Sequence, residues 1–150
     1  MRLSFAALCC AVGFAASAGS GTRADAKADL EKEARKFQGT WTFESSETAG
    51  NELPTGELKG FLLTFEGNKH TVKKGDEVIQ VGIQKLDPSK SPKTIDVTMT
   101  EGPSKGTVML GIYEIDGDTL KLCWNKPGGE RPKEFAGKDK AGYMVLKREK

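Results

Sequence analysis

The chain has 150 residues, 37% hydrophobic and 29% charged, which suits one ordinary globular domain and excludes both a disordered chain and a membrane protein of many spans. Basic and acidic side chains nearly cancel, 23 against 21 for a net charge of +2, which is too balanced for a nucleic-acid binder. The 18 glycines and 6 prolines are scattered as turn punctuation, without the period of a fibrous protein.

The first segment reads as a leader. Arg2 precedes an apolar run from Leu3 to Phe14, and Ala16-Ser17-Ala18 offers the small residues of a cleavage site, so residues 1–18 are expected to be a cleaved signal peptide. The run is shorter than the about 20 residues of a membrane span. Cys9 and Cys10 fall too early in it for lipid attachment, and Leu8 is too large to precede a lipidated cysteine. The expected location is therefore secreted or periplasmic, with no stable membrane insertion after cleavage. Of the 3 cysteines only Cys123 would remain, which leaves no internal disulfide and places the burden of stability on a hydrophobic core. Cys123 itself reads as a small strand residue rather than a reactive thiol.

Residues 19–24 read as a flexible mature N-terminus, and residues 25–150 as the folded domain. From Asp25 to Gln38 the pattern is helical: Leu30, Ala34 and Phe37 form one narrow apolar stripe, Glu31 and Arg35 form an i,i+4 pair, and Gly39 stops the helix. After Gly39 the period changes to two. Trp41, Phe43 and Ser45 share a face, as do Phe61, Leu63 and Phe65; His70 to Lys73 follows the Gly67-Asn68 turn. Beyond Gly75-Asp76 come Ile79, Val81 and Ile83, then Ile95, Val97 and Met99, then Val108, Leu110 and Ile112. The Asp116-Gly117-Asp118 turn leads to Leu120, Leu122 and Trp124, and Tyr143 to Arg148 makes a terminal strand. These are eight strands with turn signals between them, all-β apart from one helix. Tight hairpins between consecutive strands favour an eight-stranded antiparallel up-and-down barrel over a sandwich, and closure removes exposed edges.

In such a meander the loops alternate between two rims. The first, third, fifth and seventh connections, near 47–57, 74–77, 101–107 and 125–141, share one rim, while the helix can plug the other. A cup with one open mouth results. The seventh connection holds Arg131, read as an anion clamp at that mouth, with Phe135 and Leu53 as an apolar rim. Phe43 and Trp124 are inward candidates for ligand contact. An eight-stranded barrel can either fill its lumen with side chains or hold one small ligand.

Gly39-Thr40-Trp41, directly after the helix, resembles the Gly-x-Trp signature of lipocalins. That resemblance implies structural roles for Gly39, Trp41 and Arg148, with an arginine of the last strand packed over the tryptophan at the closed end. Longer runs resemble a lipocalin-like domain family abundant in planctomycete bacteria, whose function is uncharacterised. They are Phe37 to Trp41, Leu86 to Lys90, Pro92 to Asp96, Gly111 to Cys123, Pro127 to Pro132 and Leu146 to Arg148. His70 departs from the tyrosine expected at its position, which argues against a special role for it.

Catalytic chemistry has little to work with. One histidine and one mature cysteine do not make a metal site, and no cofactor is expected. Asp116-Gly117-Asp118 is explained by its turn without calcium, and no glycine-rich phosphate loop follows a strand. Glu44, Glu66, Asp96, Glu114 and His70 are the strand residues open to acid–base work, and alternation puts Glu44 and Asp96 outside. No enzyme activity is expected. The reading is a monomeric barrel whose partner is a small hydrophobic molecule and not nucleic acid. The alternative is a cell-envelope interaction or inhibitory module with a packed core, binding a protein or glycan through its rim loops.

Overall fold

The computed structural model describes residues 22–150. The expected leader, and residues 19–21 of the expected flexible segment, lie outside the described residues. Helix α1 (Arg23–Phe37) is followed by β1 (Gly39–Thr48), β2 (Asn51–Glu52) and the short α2 (Thr55–Leu58). Strands β3 (Phe61–Glu66), β4 (Lys69–Lys74), β5 (Glu77–Asp87), β6 (Lys93–Glu101), β7 (Val108–Asp116), β8 (Thr119–Trp124) and β9 (Gly142–Arg148) complete the chain. β1 pairs antiparallel with β3, each strand from β3 to β8 pairs antiparallel with the next, and β9 returns to β1 from Trp41↔Arg148 to Thr48↔Gly142. The eight long strands thus close into an up-and-down barrel. The two-residue β2 folds back on the end of β1 as an extra ribbon.

The hairpins form where the turn residues demand them. Glu66↔Lys69, Lys74↔Glu77 and Asp116↔Thr119 each enclose two residues, and Gly67, Gly75 and Gly117 take positive φ there. Two-residue loops of this kind match the right-handed twist of the strands they join.

Helix α1 closes one end of the barrel. Its start is earlier than the expected Asp25: Thr22 caps it through a reciprocal capping box with Asp25, and Arg23 and Ala24 lie in its first turn. The apolar stripe is only partly used. Phe37 is fully buried, in edge-on contact with Phe65 and Tyr113 at centroid distances of 5.1 and 4.9 Å, whereas Leu30 remains 38% exposed. Glu33 is buried in its place, bound by Lys36 at 2.7 Å and by Lys93 of β6 at 2.6 Å. Glu31 pairs with Lys27 at 3.9 Å rather than with Arg35.

Three residues lock the helix to the wall. Gly39 sits just past the helix end at φ +111°, a conformation that strains any other residue. Trp41, fully buried, donates its indole N–H to the Phe37 carbonyl at 2.9 Å. The Arg148 guanidinium carbon lies 4.3 Å from the Trp41 ring centroid, and its nitrogens donate to the carbonyls of Gln38 (2.6 Å) and Lys36 (2.7 Å). A cation and two donors at the C-terminal end of a helix satisfy carbonyls that the helix leaves free.

The walls differ from the expected alternation at β5 and β7. Directly paired residues share a face. The pairs Val72↔Gln80, His70↔Gly82, Gln84↔Val97 and Leu86↔Ile95 therefore turn Gly82, Gln84 and Leu86 inward, leaving Val81 and Ile83 outside. In β7, Met109↔Val97 and Gly111↔Ile95 turn Leu110 and Ile112 outward, again the reverse of the expectation. In β1 a bulge between Phe43 and Ser45 brings Ser46 rather than Ser45 to the inner wall, paired with Met144. The outward Ile112 is nevertheless buried. It forms a second small core with Cys123 and Ala141, flanked by Phe135 and Tyr143, on the outer surface of β7 to β9.

Candidate functional site

A cavity of about 550 Å³ occupies the lumen. Its walls are the inner residues of the strands: Phe43 of β1, Phe61, Leu63 and Phe65 of β3, Val97 and Met99 of β6, Leu122 and Trp124 of β8, and Met144 of β9. Toward the loop-rich rim it is bounded by Leu53, by the α2 residues Glu57 and Leu58, and by Lys59 and Lys74. The first connection thus folds inward as a short helical shoulder, with Leu58 almost fully buried. At the rim the Lys74 ammonium lies 4.9 Å from the Phe61 ring centroid. The volume falls within the range of small-molecule sites, and so does the character of an apolar lining with a few convergent polar groups.

One polar side chain, His70, stands deep in this apolar wall, with Gln84 buried beside it. His70 of β4 and Gln84 of β5 are 5% and 6% exposed, and His70 Nδ1 lies 3.4 Å from Gln84 Oε1. Burial pushes the imidazole pKa down, partly offset by the Gln84 contact, so the ring is neutral at physiological pH. Room for the ring comes from Gly82 directly opposite. A Cβ there would stand 2.5 Å from His70 Cε1, closer than atoms tolerate.

The sequence-predicted site residues divide into three groups. Phe43, Leu53 and Trp124 line the cavity. Gly39, Trp41 and Arg148 form the lock at the closed end. Arg131 and Phe135 are not at the mouth, which corrects the expected clamp and rim. The loop carrying them (residues 125–141) runs down the outer wall instead, because that wall offers it better partners. Arg131 donates to the carbonyls of Gly111 (2.7 Å) and Ile95 (3.4 Å) and to Asp96 Oδ1 (2.6 Å). Phe135 packs on Tyr143, centroid to centroid 6.3 Å, over the outer core of Ile112 and Cys123. The seventh connection is a strap.

The carboxylates of the strands stay out of the lumen. Glu44, Glu66 and Glu114 are exposed, and Asp96 is engaged by Arg131. His70 is thus not paired with an acid. Burial pushes the Cys123 thiol pKa up, and the side chain sits on the outer face beneath the strap, donating weakly to the Ala136 carbonyl at 3.5 Å. Among the described residues no group of three or more His, Cys, Asp or Glu side chains is placed to hold a metal ion, and no helix is long and apolar enough to cross a membrane.

Gln84, Gly82 and the His70 contact were missed by sequence reasoning. A signal was present: Gly82 and Gln84 alternate in a strand whose other face is Val81 and Ile83, and an inner glycine opposite a histidine marks a crowded wall. Neither a protein-family model nor a curated protein matches the chain.

Proposed function

We propose that this protein is a lipocalin-like binding protein that holds one small apolar or amphipathic molecule inside its barrel. The observation that carries the reading is the apolar lumen of about 550 Å³, lined by the inner strand residues and by the α2 shoulder at its rim. An unfilled apolar space forfeits dispersion contacts, so an occupant stabilises the fold. The Gly-x-Trp lock with its arginine supports the lipocalin-like assignment. The leader-like residues 1–18 support action outside the cytoplasm, as a secreted or periplasmic protein. The alternative of an envelope interaction module needs a packed core, and the open lumen favours the carrier.

Native mass spectrometry of the protein purified from a bacterial periplasm tests this reading. A discrete added mass that leaves on denaturation is expected, and its identity names the ligand class. A bare mass that persists after incubation with lipid and pigment extracts of the source organism overturns it.

A further inference from the structure

We infer that the deep wall of the cavity recognises a hydroxyl group on the ligand, which donates its proton to His70 Nε2. This rests on the lumen being the binding site and adds the chemistry and the orientation of what it binds.

Gly67 fixes the orientation of the Gln84 amide. Its carbonyl accepts from Gln84 Nε2 at 3.4 Å and from Gln38 Nε2 at 3.0 Å. A carbonyl accepts only, so the Gln84 amide must turn its NH2 toward Gly67 and its Oε1 toward the imidazole. Oε1 is in turn an acceptor, and the group facing it at 3.4 Å, His70 Nδ1, must carry the hydrogen. A neutral imidazole has one N–H, and with it at Nδ1 the other nitrogen holds an unshared pair.

That second nitrogen is left without a protein partner. Among the described residues no hydrogen bond reaches Nε2, although His70 is 5% exposed and lines the cavity. It is not walled off either, for the only fully enclosed side-chain polar atom lacking a partner among the described residues is Tyr113 Oη. The ring lies against Gly82, whose missing side chain leaves room for it, since a Cβ there would lie 3.0 Å from Nε2. An acceptor that is buried, fixed in tautomer and bordering an apolar cavity is costly unless a donor meets it.

The matching ligand carries a hydroxyl at one end of an apolar body. The hydroxyl goes in first, past Val97 and Leu63, and the rest extends toward Leu53 and Leu58 at the rim. A ligand offering only acceptors, such as an ether, fits the same walls but leaves Nε2 unmet.

Because His70 is the one histidine of the chain, the test needs no assignment. In protein labelled with 15N-histidine, the ligand-free spectrum should show Nδ1 protonated and Nε2 bare. Adding 1-decanol should shift the Nε2 resonance, while decyl methyl ether should bind without that shift. The alcohol should bind roughly tenfold more tightly than the ether, the size of one buried hydrogen bond, and His70→Phe should abolish that preference while still binding the ether. A hydrogen on Nε2 in the free protein, or equal affinity and equal spectra for the two probes, overturns the hydroxyl site and leaves the carrier reading intact. Failure of both probes and of the source extracts to bind overturns the carrier reading and this site with it.

Discussion

At the residue scale, single side chains are tied to this fold by what they would lose if moved. His70 makes folding depend on pH in a definable direction. Its pKa in the folded state lies below the ordinary 6.5, so as pH falls through that value the unfolded chain takes up a proton that the native ring refuses. Stability should therefore begin to decline as pH falls through about 6.5, and thermal melts of His70→Phe should lack that component. Arg148 is a second case. It stacks on Trp41 and serves two carbonyls at the end of α1, so Arg148→Met should cost about 2–3 kcal/mol in chemical denaturation. Lysine at the same position should rescue little, because a single ammonium cannot both stack and span two carbonyls. Arg148 beside Gly39-x-Trp41 was legible in the sequence through resemblance. The His70–Gln84 contact was not, because its partners lie on different strands and the bulge in β5 decides that they face each other.

Elements show how burial on two sides hides the direction of a strand. In β7 one face is Met109, Gly111 and Tyr113 and the other Val108, Leu110 and Ile112, and either set is apolar enough to line a lumen. The strap resolves the choice by covering Ile112 and Cys123 from outside. It also gives a chemical readout. Phe135→Ala should loosen the strap and expose the Cys123 thiol, seen as faster modification of the peptide containing Cys123 by a maleimide, with the barrel still folded. Helix α1 is held by charge as well as by Phe37. Burial raises the Glu33 pKa, but the hydrogen bonds from Lys36 and Lys93 outweigh it and hold the carboxyl below its usual 4.5. Its stabilisation is thus present above that pH and lost as pH falls below it. Glu33→Ala should cost about 1–2 kcal/mol at neutral pH, modest because both lysines remain partly exposed, and the difference from wild type should vanish in acid. A helical stripe of Leu30, Ala34 and Phe37 could not disclose this, since the residue it leaves out is the one that meets β6.

For the molecule as a whole, the lumen is the property that separates a carrier from a packed module. Val97→Trp places a large ring from the middle of β6 into the cavity. It should weaken binding of an apolar fluorescent probe by about tenfold or more while leaving the circular dichroism of the barrel unchanged. Gain or retention of thermal stability in that variant is expected, since the added ring recovers contacts that the open space lacks. The mouth and the plug stand at the ends that loop parity assigned to them, because in a closed meander consecutive connections must alternate between rims. What parity could not assign was the path of the longest loop after leaving its rim.

The sequence by itself determined the class of fold, the positions of its eight long strands, the helix before them and the turns between them. These are local matters: a period of two, glycines at two-residue turns, and a helix end that only glycine closes without strain. It also contained the residues of the Trp41 and Arg148 lock. The tertiary structure alone decided which face of β5 and β7 looks inward, where the strap lies, how much of the lumen stays open, and that a lone histidine stands in its deep wall. Each of these depends on strand register, on bulges that reset it, or on contacts between segments far apart in the chain, and a linear pattern carries none of that information.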